Sequence, residues 1–394
     1  MTDAPLVGVT ILDLSRVLSG PYCTMLAADM GARVIKIEQP GKGDDTRAWG
    51  PPFVNGESAY FLSVNRNKES VTLNFKNPEG RSLLNRLIDR SDVLVENFRP
   101  GTLAKLGLDY ASLSGRHARL VYCSVSGFGQ TGPRRQESGY DAVIQAEGGL
   151  MSITGAADGP PFRLGVAISD IVSGIFAAYG VSLSLLARER SGRGQEVDIA
   201  MLDAVSALLT YQAGAYFASG HVPGRLGNRH PSIVPYETFA ASDGDFVLAV
   251  GNDDLWRTFC QVADLDFGDR FATNHQRVIG YDTLRPLVAS RLQSQTRQYW
   301  IGHLTAAGVP CGSVRDIGEL FSDPQVRARD MVASVVHETI GSLEVLGVPV
   351  KLSATPGSVR TPPPRLGEHT VAVLAQDLGL DADAIARLRE QRAI

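Results

Sequence analysis

Residues 9–38, VTILDLSRVLSGPYCTMLAADMGARVIKIE, decide the fold of the first third of the chain. The apolar runs at the start and at the end of this stretch are typical of buried strands. Between them, Pro21 suits the first turn of a helix, and Gly31 is a typical residue at a helix end. A strand, a helix and a second strand in this order predict a β-α-β unit, whose two strands are parallel.

Three more strand patterns continue this arrangement, at residues 70–75, 92–98 and 120–125. Asn77 and Pro78 indicate that a helix begins after the first of them. Strands that alternate with helices predict a Rossmann-like, doubly wound α/β domain with a parallel sheet, in which ligands bind at the carboxyl ends of the strands. Asn97 and Ser126 end two of the strands, so we expect both side chains at that edge of the sheet.

The same stretch gives weak support to a nicotinamide cofactor. Glu38 has the position of the acidic residue that binds a ribose in dinucleotide sites. However, the turn after the first strand contains Gly20 alone in place of the G-x-G-x-x-G sequence. A non-catalytic nucleotide-binding or regulatory protein is therefore an alternative function for a Rossmann-like core.

The composition limits the class of protein. Of the 394 residues, 44% are hydrophobic and 20% are charged, which is typical of a soluble globular protein. The net charge is −4 with acids and bases mixed, so neither nucleic acid nor an anionic membrane is a predicted partner. The four cysteines are far apart, which indicates reduced thiols and no metal cluster. We find no signal-peptide pattern and no apolar run that looks long enough to cross a bilayer, so we expect a cytoplasmic protein.

One carboxylate stands out in residues 164–174, LGVAISDIVSG, because Asp170 precedes a segment with helical apolar spacing. Ser169 and Asp170 are both favoured N-cap residues, so we expect Asp170 at a helix N-terminus, where the helix dipole favours the ionised form. Asp170 could then serve only as a cap. Alternatively, a carboxylate near a glycine-lined pocket can attack an acyl group and form a covalent intermediate. The local sequence does not decide between these two roles.

Motifs along nearly the whole chain indicate a family. They are RVLSGP (16–21), GARVIKIE (31–38), GDDTR (43–47), VENFRPG (95–101), SGYD (138–141), RGQ (193–195), GVPCG (308–312) and LGEHT (366–370). In this order they resemble the class III CoA-transferases, the CaiB–BaiF family, which also includes α-methylacyl-CoA racemases. Each motif alone is weak, whereas their succession over the full length is specific.

The resemblance implies an enzyme that moves CoA from an acyl-CoA donor to a free carboxylic acid. The family's nucleophilic aspartate falls on Asp170, which would attack the donor thioester to give an aspartyl mixed anhydride. CoA thiolate then forms an aspartyl-CoA thioester, and the acceptor acid completes the exchange. A carboxylate suits this chemistry because an anhydride keeps the acyl group activated, and backbone donors must stabilise each oxyanion.

The resemblance also assigns CoA contacts, to Val17, Leu18, Leu73, Asn74, Lys76, Asn97, Phe98, Lys105, Ser138, Tyr140 and Asp141. Among these, Lys105 would meet the CoA phosphates. Gln39 departs from the pattern, because a relative has an arginine at this position for phosphate contact. Asn97 and Phe98 could instead form a strand-end turn and a core aromatic, and Asp141 could support the site or bind water.

A loop at residues 41–52 is rich in turn-forming residues and contains Arg47 and Trp49. It could be an ordinary surface loop with the tryptophan packed down. Alternatively, it covers an anionic substrate, because functional residues often lie on loops that rigid elements position. We keep Arg47 and Trp49 as candidate substrate-binding residues.

A second loop carries Asn228, Arg229, His230 and Ser232, at the place where the family has a mobile loop over the catalytic aspartate. It lacks the consecutive glycines of formyl-CoA transferases and resembles the loop of succinyl-CoA:glutarate transferases. Arg229, His230 and Ser232 could therefore bind the distal carboxylate of a short dicarboxylic acid, since guanidinium groups match carboxylates. A loop histidine without function is the alternative.

Racemisation is the alternative reaction within the family. The racemases need a base on each face of the α-carbon, and a histidine stands in them at the position of Tyr140. A phenol is poorly suited to abstract a carbon-bound proton at neutral pH, so Tyr140 favours the transferase.

The sequence predicts four segments: a large Rossmann-like CoA-binding domain (1–208), a linker (209–229), a small α/β domain (230–323) and a C-terminal segment that returns to the large domain (324–394). Ser242 to Asp245 predict a hairpin turn in the small domain. In the family two chains thread through each other as interlocked rings, so the resemblance implies an obligate homodimer. It implies coenzyme A as the acyl-CoA substrate and no metal.

Overall fold

The computed structural model describes residues 4–394, and the chain divides into two compact units. The first unit contains Met1–Leu150, Leu164–Ala213 and Pro324–Ile394, and the second contains Met151–Arg163 and Gly214–Asp323. These bounds differ from the predicted segments in two respects. Residues 151–163 belong to the second unit, and the predicted linker contains a helix, Thr210–Ser219, in which alanine, the residue with the highest helix propensity, recurs.

Thirteen strands lie within the described residues: β1 Thr10–Asp13, β2 Arg33–Glu38, β3 Phe53–Val54, β4 Glu57–Ser58, β5 Lys68–Thr72, β6 Val93–Glu96, β7 Val121–Ser126, β8 Glu196–Ala200, β9 Tyr236–Ala241, β10 Gly244–Ala249, β11 Cys311–Ser313, β12 Val332–His337 and β13 Gly341–Leu346.

Seventeen α-helices lie in the same part of the chain: α1 Ser19–Asp29, α2 Ala59–Val64, α3 Pro78–Ile88, α4 Tyr110–Leu113, α5 Asp141–Glu147, α6 Leu150–Ile153, α7 Ile168–Ser191, α8 Met201–Leu208, α9 Thr210–Ser219, α10 Asp253–Ala263, α11 Asn274–Ile279, α12 Tyr281–Leu292, α13 Arg297–Ala306, α14 Ile317–Ser322, α15 Pro324–Ala328, α16 Thr370–Leu378 and α17 Ala382–Glu390. Short 3₁₀ helices span Asp45–Ala48, Ala104–Leu106 and Gly268–Phe271.

The first unit is built on a six-stranded sheet with the strand order β5-β2-β1-β6-β7-β8. All of its strand pairs are parallel. The predicted doubly wound α/β fold is therefore confirmed. The strand order reverses between β1 and β6, and in such sheets the crevice beyond the carboxyl ends at this switch point is the usual ligand site.

Helices cover both faces of this sheet. On one face the apolar side chains of α3, α16 and α17 pack in a core with Leu12, Ile35 and Leu94. On the other face α1, α5, α7 and α8 pack in a second core with Ile11 and Val95. Neighbouring residues of one strand thus enter opposite cores, as the alternation of side chains in a strand requires.

The local helix signals are partly confirmed. Asn77 caps α3 by accepting a hydrogen bond from the Glu79 amide, and Pro78 is the first residue of that helix. The strand predicted at 70–75 instead covers Lys68–Thr72, because Leu73 leads into the turn that Asn74 and Asn77 close.

Helix α7 corrects the expectation about membrane-crossing length. Among the described residues it is the one helix that could span a bilayer by length and composition, with 24 residues and a mean hydropathy of 1.6. Its residues Val172, Ala177 and Val181 are nevertheless part of the core beneath the sheet. Core helices of soluble proteins pass the same test, so α7 is weak evidence for a membrane span.

The second unit has its own core. The hairpin of β9 and β10 pairs with β11 in an antiparallel sheet, which confirms the turn predicted at Ser242 to Asp245. Helices α10, α12 and α13 contribute buried residues such as Trp256, Leu284 and Trp300 to the apolar cluster against this sheet.

Candidate active site

A cavity of about 290 Å³ lies beyond the carboxyl ends of β1 and β6, at the switch point of the sheet. It brings together seven of the predicted site residues: Val17, Asn97, Phe98, Ser138, Tyr140, Asp141 and Asp170. Gly127 and Gly139 line it as well, and a Cβ on Gly127 would lie 2.6 Å from the Gly139 Cα. A side chain at either position would clash with the other segment, so glycine is needed for the two backbones to lie this close together.

Asp170 is in the first turn of α7 but does not cap the helix. The N-cap is Ala167, which has no capping side chain. Instead, the Asp141 Oδ1 accepts a hydrogen bond from the Ser169 amide at 2.9 Å. The expectation that Asp170 is a cap residue is therefore wrong, because a carboxylate from α5 satisfies a free amide of this helix end. The half-buried carboxyl group of Asp170 lines the cavity.

Gln145 holds the capping carboxylate in place. This fully buried side chain donates from Nε2 to Asp141 Oδ2 at 2.8 Å. Its Oε1 accepts a hydrogen bond from the Leu164 amide at 2.9 Å, so it also fixes the segment that leads into α7. A buried amide with both ends bonded fixes the geometry of the groups it joins.

The electrostatics of the site disfavour a charged Asp170. Burial raises its pKa, the like charge of Asp141 raises it further, and a hydrogen bond with the Ser19 side chain lowers it, with a net result of about 7. The neighbouring phenol of Tyr60 responds in the same way, since burial and then the charge of Asp170 raise the pKa of Tyr60 to about 12. An aspartate with such a pKa changes its charge near neutral pH.

A buried ion pair fixes the backbone beside the cavity. Val17 has φ +69°, a left-handed conformation that a β-branched residue rarely adopts. The carboxylate of Asp44 accepts a hydrogen bond from the Val17 amide at 3.2 Å and pairs with Lys36 at 2.9 Å. Both partners of this pair are fully buried.

Asn97 holds the neighbouring residue of the same loop. Its Oδ1 accepts from the Arg16 amide at 2.8 Å, and its Nδ2 donates to the Arg16 carbonyl at 2.7 Å. The amide thus acts as a clamp between the ends of β1 and β6. Asn97 therefore lines the cavity and also stabilises the loop through its hydrogen bonds with Arg16.

Five of the predicted CoA contacts do not line the cavity. Leu18 and Leu73 are buried in apolar clusters, and Lys76 and Lys105 are exposed. The amide of Asn74 donates to the carbonyl of Ala393 in the C-terminal segment.

Arg47 and Trp49 have structural partners. The guanidinium of Arg47 donates two hydrogen bonds to Glu38, each at 2.7 Å, and stacks 3.6 Å from the Phe61 ring. Arg47 is therefore not a free cation for a substrate, and Glu38 is not available to a ribose. The ring of Trp49 packs edge-on against Tyr60 at 5.2 Å, so it supports the tyrosine near Asp170.

In the second unit, the loop from Asn228 to Ser232 carries an arginine, Arg229, whose guanidinium is held against an aromatic ring. The Arg229 guanidinium lies 3.4 Å from the centre of the Tyr281 ring, and its Nε is buried without a hydrogen bond within residues 4–394. The hydroxyl of Tyr281 donates to Glu237 at 3.2 Å. Asn228 and Ser232 are exposed.

His230 is a neutral donor in this loop. Burial lowers the pKa of His230. Its Nδ1 accepts a hydrogen bond from the Ser232 amide at 3.1 Å, which places the proton of the neutral ring on Nε2.

Comparison with known proteins decides the family. Residues 6–370 match CoA-transferase family III. The chain is 42% identical over 387 residues to a succinyl-CoA:glutarate CoA-transferase of Mus musculus, a match that covers 98% of this chain and 89% of the relative. The chain belongs to CoA-transferase family III.

Two further matches agree with this assignment. A succinate–glutarate CoA-transferase of Agrobacterium fabrum is 42% identical over 390 residues, covering 95% of this chain and 98% of the relative. The crystal structure of a CAIB/BAIF family protein from Brucella suis has a TM-score of 0.86 and 40% identity, and the match covers 95% of this chain and all of that chain. The predicted family is confirmed, and the protein is an enzyme with CoA-transferase activity.

The structure adds residues to the candidate site that the sequence did not single out. Three side chains from different helices are involved. Ser19 hydrogen-bonds Asp170, Tyr60 interacts electrostatically with it, and Gln145 donates to Asp141, which caps α7. Ser19 lies within the RVLSGP motif and is the first residue of α1, so the motif was a usable signal. For Tyr60 and Gln145 the sequence contains no such signal, because their importance arises only from the folded arrangement.

On the hypothesis that Asp170 is the nucleophile, kcat/KM is expected to fall toward acid pH with an apparent pKa near 7, since only the ionised carboxylate could attack. Ser19→Ala removes the hydrogen bond that favours the ionised form, so the acid limb should move upward by roughly 0.5–1 pH unit. Ser19→Thr keeps a hydroxyl and is the matched control. An acid limb that is identical in the alanine variant and the wild type would contradict this role of Ser19.

Proposed function

We propose that this enzyme transfers CoA from succinyl-CoA to a short dicarboxylate, with glutarate as the first candidate. The observation that carries the proposal is a carboxylate, Asp170, in a cavity at the switch point of a family III chain. The two relatives described above, which are named for succinyl-CoA or succinate and glutarate, support the choice of substrates.

The proposed reaction uses Asp170 as the nucleophile. Its carboxylate attacks the donor thioester carbonyl and expels CoA thiolate, which gives an acyl-aspartyl anhydride. The thiolate then attacks the aspartyl carbonyl and releases succinate, leaving an aspartyl-CoA thioester. The acceptor carboxylate attacks this thioester to form a second anhydride and frees the thiolate again. Attack of the thiolate on the acceptor carbonyl gives the new acyl-CoA and restores Asp170, without a metal or a redox step.

CoA is proposed to enter the cavity with its thioester end. The residues that line the cavity and would surround this end are Val17, Asn97, Phe98, Ser138, Tyr140 and Asp141. The remainder of CoA is proposed to extend past the predicted contacts that lie outside the cavity, namely Leu18, Leu73, Asn74, Lys76 and Lys105. Tyr140 supports transfer over racemisation, because a phenol replaces the second base that enolisation needs.

A panel of acids tests the substrates. Purified enzyme is mixed with succinyl-CoA and with glutarate, other short dicarboxylates, or monocarboxylates of matched length, and each new acyl-CoA is quantified by chromatography. We expect the dicarboxylates to have the highest kcat/KM. Higher values for the monocarboxylates would contradict the proposed acceptor class while leaving the family assignment intact.

The loop of the second unit is proposed to bind the distal carboxylate of the acid. Tyr281 holds the Arg229 guanidinium from one side, and His230 offers a neutral N–H donor. Asn228 and Ser232 complete the proposed recognition loop.

Arg229→Gln is expected to lower kcat/KM for dicarboxylate acceptors by roughly 10- to 100-fold, because a charged hydrogen-bond pair is lost. Monocarboxylate acceptors should change by less than about threefold, since they lack the partner. The matched control is Arg257→Gln, at an exposed arginine of the same unit that pairs with Asp254. Equal losses for both classes of acid would show that Arg229 acts through the structure of the loop.

We propose that the enzyme is an interlocked homodimer. Ile175, Tyr179, Leu183 and Leu186 follow one another at helical spacing along α7, and each is between 45% and 62% exposed. Soluble monomers rarely expose an apolar stripe of this kind. Light scattering should give the mass of two chains, and the mass of one chain would contradict the dimer.

The four free thiols support a reducing compartment such as the cytoplasm.

A further inference from the structure

A fully buried lysine, Lys68, has no part in the reaction as described so far. It is the first residue of β5, and its side chain is completely buried. Burial of a lysine costs free energy unless the ammonium group is paired and hydrogen-bonded. The ammonium group of Lys68 uses all three of its N–H donors. They reach the Asp13 carboxylate at 3.2 Å, the Asn65 side-chain carbonyl at 2.9 Å and the Pro21 backbone carbonyl at 2.8 Å.

The bond to Pro21 attaches Lys68 to the first turn of α1. The N-cap residue of this helix, Leu18, makes no capping hydrogen bond with its side chain. Contacts with other elements must therefore fix the position of this helix end. Asp13 provides a second one, because its carboxylate accepts a hydrogen bond from the Thr24 hydroxyl at 2.7 Å. Two charged residues of the parallel sheet thus hold the start of α1.

The loop before α1 is held by the same carboxylate. Asp13 accepts hydrogen bonds from the Ser15 amide at 2.9 Å and from the Ser15 hydroxyl. Ser15 in turn packs directly on α1, since a Cβ on Gly20 would lie only 2.2 Å from the Ser15 Cβ. The loop and the first turn of α1 therefore fit closely against each other.

The first turn of α1 also meets α7 beside Asp170. A Cβ on Gly174, one turn after Asp170, would lie 2.7 Å from the Ser19 carbonyl oxygen, so the two backbones approach closely. Ser19 is buried and lines the active-site cavity together with Asp170. Its side chain makes the hydrogen bond that favours the ionised form of Asp170. Since hydrogen bonds weaken steeply with distance and angle, this one depends on where α1 begins.

We propose that Lys68 is a positioning residue of this enzyme, which holds the first turn of α1 so that the Ser19 hydroxyl stays bonded to the Asp170 carboxylate. The side chain of Lys68 is completely buried, so it acts through Ser19 and not on the substrate. Because Asp170 is itself the proposed nucleophile, this role rests on the proposed function. One of the measurements below is independent of that function.

The first test is the pH profile of Lys68→Met, which removes three hydrogen bonds and keeps an unbranched side chain. We expect the acid limb of kcat/KM to move upward by roughly 0.5–1 pH unit, as in Ser19→Ala, which corresponds to about a 3- to 10-fold loss below the limb. Above the limb, kcat/KM should stay within about threefold of the wild type. A merely structural role would lower kcat/KM at every pH and leave the midpoint in place, which would overturn the proposal.

The double variant Lys68→Met/Ser19→Ala tests the route of the effect. If Lys68 acts through Ser19, the acid limb of the double variant lies where it lies in Ser19→Ala. If the two shifts add, Lys68 acts on Asp170 independently of Ser19 and the proposal is wrong.

A charge-balanced variant excludes a direct effect of the lysine charge. Lys68→Met/Asp13→Asn removes one charge of each sign, and it avoids a buried carboxylate without its ion-pair partner. It also carries the test if Lys68→Met does not fold. The shift should persist, because the bond to the Pro21 carbonyl is still missing. A wild-type acid limb in this variant would overturn the proposal.

Arg66→Met is the matched control, because Arg66 is a buried cation at the opposite end of α1. It pairs with Asp29, the last residue of the helix, at 2.6 Å. We expect Arg66→Met to lower the thermal stability without moving the acid limb. An equal shift in Arg66→Met would show that loosening α1 at either end has the same effect, which would contradict a specific role of Lys68.

Carbodiimide labelling of Asp170 separates this inference from the proposed function. Carbodiimides react with protonated carboxyl groups, so the pH dependence of labelling, read by mass spectrometry, follows the ionisation of Asp170 without any turnover. We expect its midpoint to move upward equally in Lys68→Met and Ser19→Ala, relative to the wild type. A shift in labelling without a shift in kcat/KM would support the role of Lys68 and refute Asp170 as the nucleophile. Labelling with the wild-type midpoint in Lys68→Met would refute the role of Lys68.

Discussion

Asp170→Asn is expected to reduce CoA transfer by roughly 10⁴-fold or more, because a carboxamide cannot form the anhydride on which the proposed reaction depends. The substitution keeps the size of the side chain and its place in the first turn of α7. Asp141 caps the helix, so the loss of charge at Asp170 leaves the helix end satisfied. Transfer is measured as new acyl-CoA formed from succinyl-CoA and glutarate.

The same experiment separates catalysis from binding. Calorimetry of the Asp170→Asn variant should show CoA affinity within about threefold of the wild type, because the loss of a negative charge adds no electrostatic repulsion toward the CoA phosphates. The peptide that contains Asp170 should carry a hydroxylamine-sensitive acyl group in the wild type and not in the variant. Full activity of Asp170→Asn, or an acyl group trapped on another residue, would exclude the proposed nucleophile.

Asp141→Ala is the informative comparison for this result. It removes the cap of α7 and the like charge that raises the pKa of Asp170, so two opposing effects are combined. A loss of activity in Asp141→Ala therefore reports on the position of the proposed nucleophile, whereas a loss in Asp170→Asn reports on its chemistry. The first should be accompanied by lower thermal stability, because a helix cap contributes about 1 kcal/mol.

The sequence predicted the sheet and the position of Asp170 near a helix start because both depend on short-range signals. A few neighbouring residues are enough to predict each of these features: the β-α-β stretch, the Asn77 cap, and the strand ends at Asn97 and Ser126. The start of α7 was also legible, and it placed Asp170 within one turn of the helix N-terminus. The cap was misassigned because the group that satisfies the Ser169 amide comes from a different helix.

Charged residues were harder to interpret than apolar ones. Arg47 looked like a free cation in a glycine-rich loop, but Glu38 at the end of β2 takes up its guanidinium. Lys36 lies in a strand whose neighbours are apolar, and only the folded structure reveals the Asp44 carboxylate opposite it. Pairing between charges depends on tertiary geometry, which the periodicity of hydrophobic residues in the sequence does not predict.

The Lys36–Asp44 pair is the structural support on which the second large effect depends. Burial raises the pKa of Asp44, but the charge of Lys36 and the hydrogen bonds at Asp44 outweigh burial and lower it to about 2. Lys36→Met leaves this carboxylate buried without its ion-pair partner, and also removes the donor to the Ser15 carbonyl. We expect the free energy of unfolding to fall by roughly 3–5 kcal/mol, the usual loss when one partner of a buried pair is removed.

Two matched variants make this measurement specific. Lys42→Met makes the same change in an exposed pair with Asp45 and should lower stability by less than about 1 kcal/mol. Lys36→Met/Asp44→Asn removes both charges and should recover part of the loss, because the uncompensated charge is gone. Since the pKa of Asp44 is lowered, its contribution to stability is present above about pH 4 and is lost as the pH falls toward about 2. Urea unfolding at neutral pH therefore measures the full effect.

Activity provides the link from this ion pair to the site. Asp44 holds the amide of Val17 in its left-handed conformation, and Val17 lines the cavity together with Asp170. When the carboxylate loses its counter-charge, it will take up a proton or turn away, and the backbone at Val17 relaxes toward an ordinary conformation. KM for acyl-CoA should then rise at temperatures where the variant is still folded, whereas Lys42→Met leaves KM unchanged. A variant with normal KM but low stability would show that the pair supports the fold without shaping the cavity.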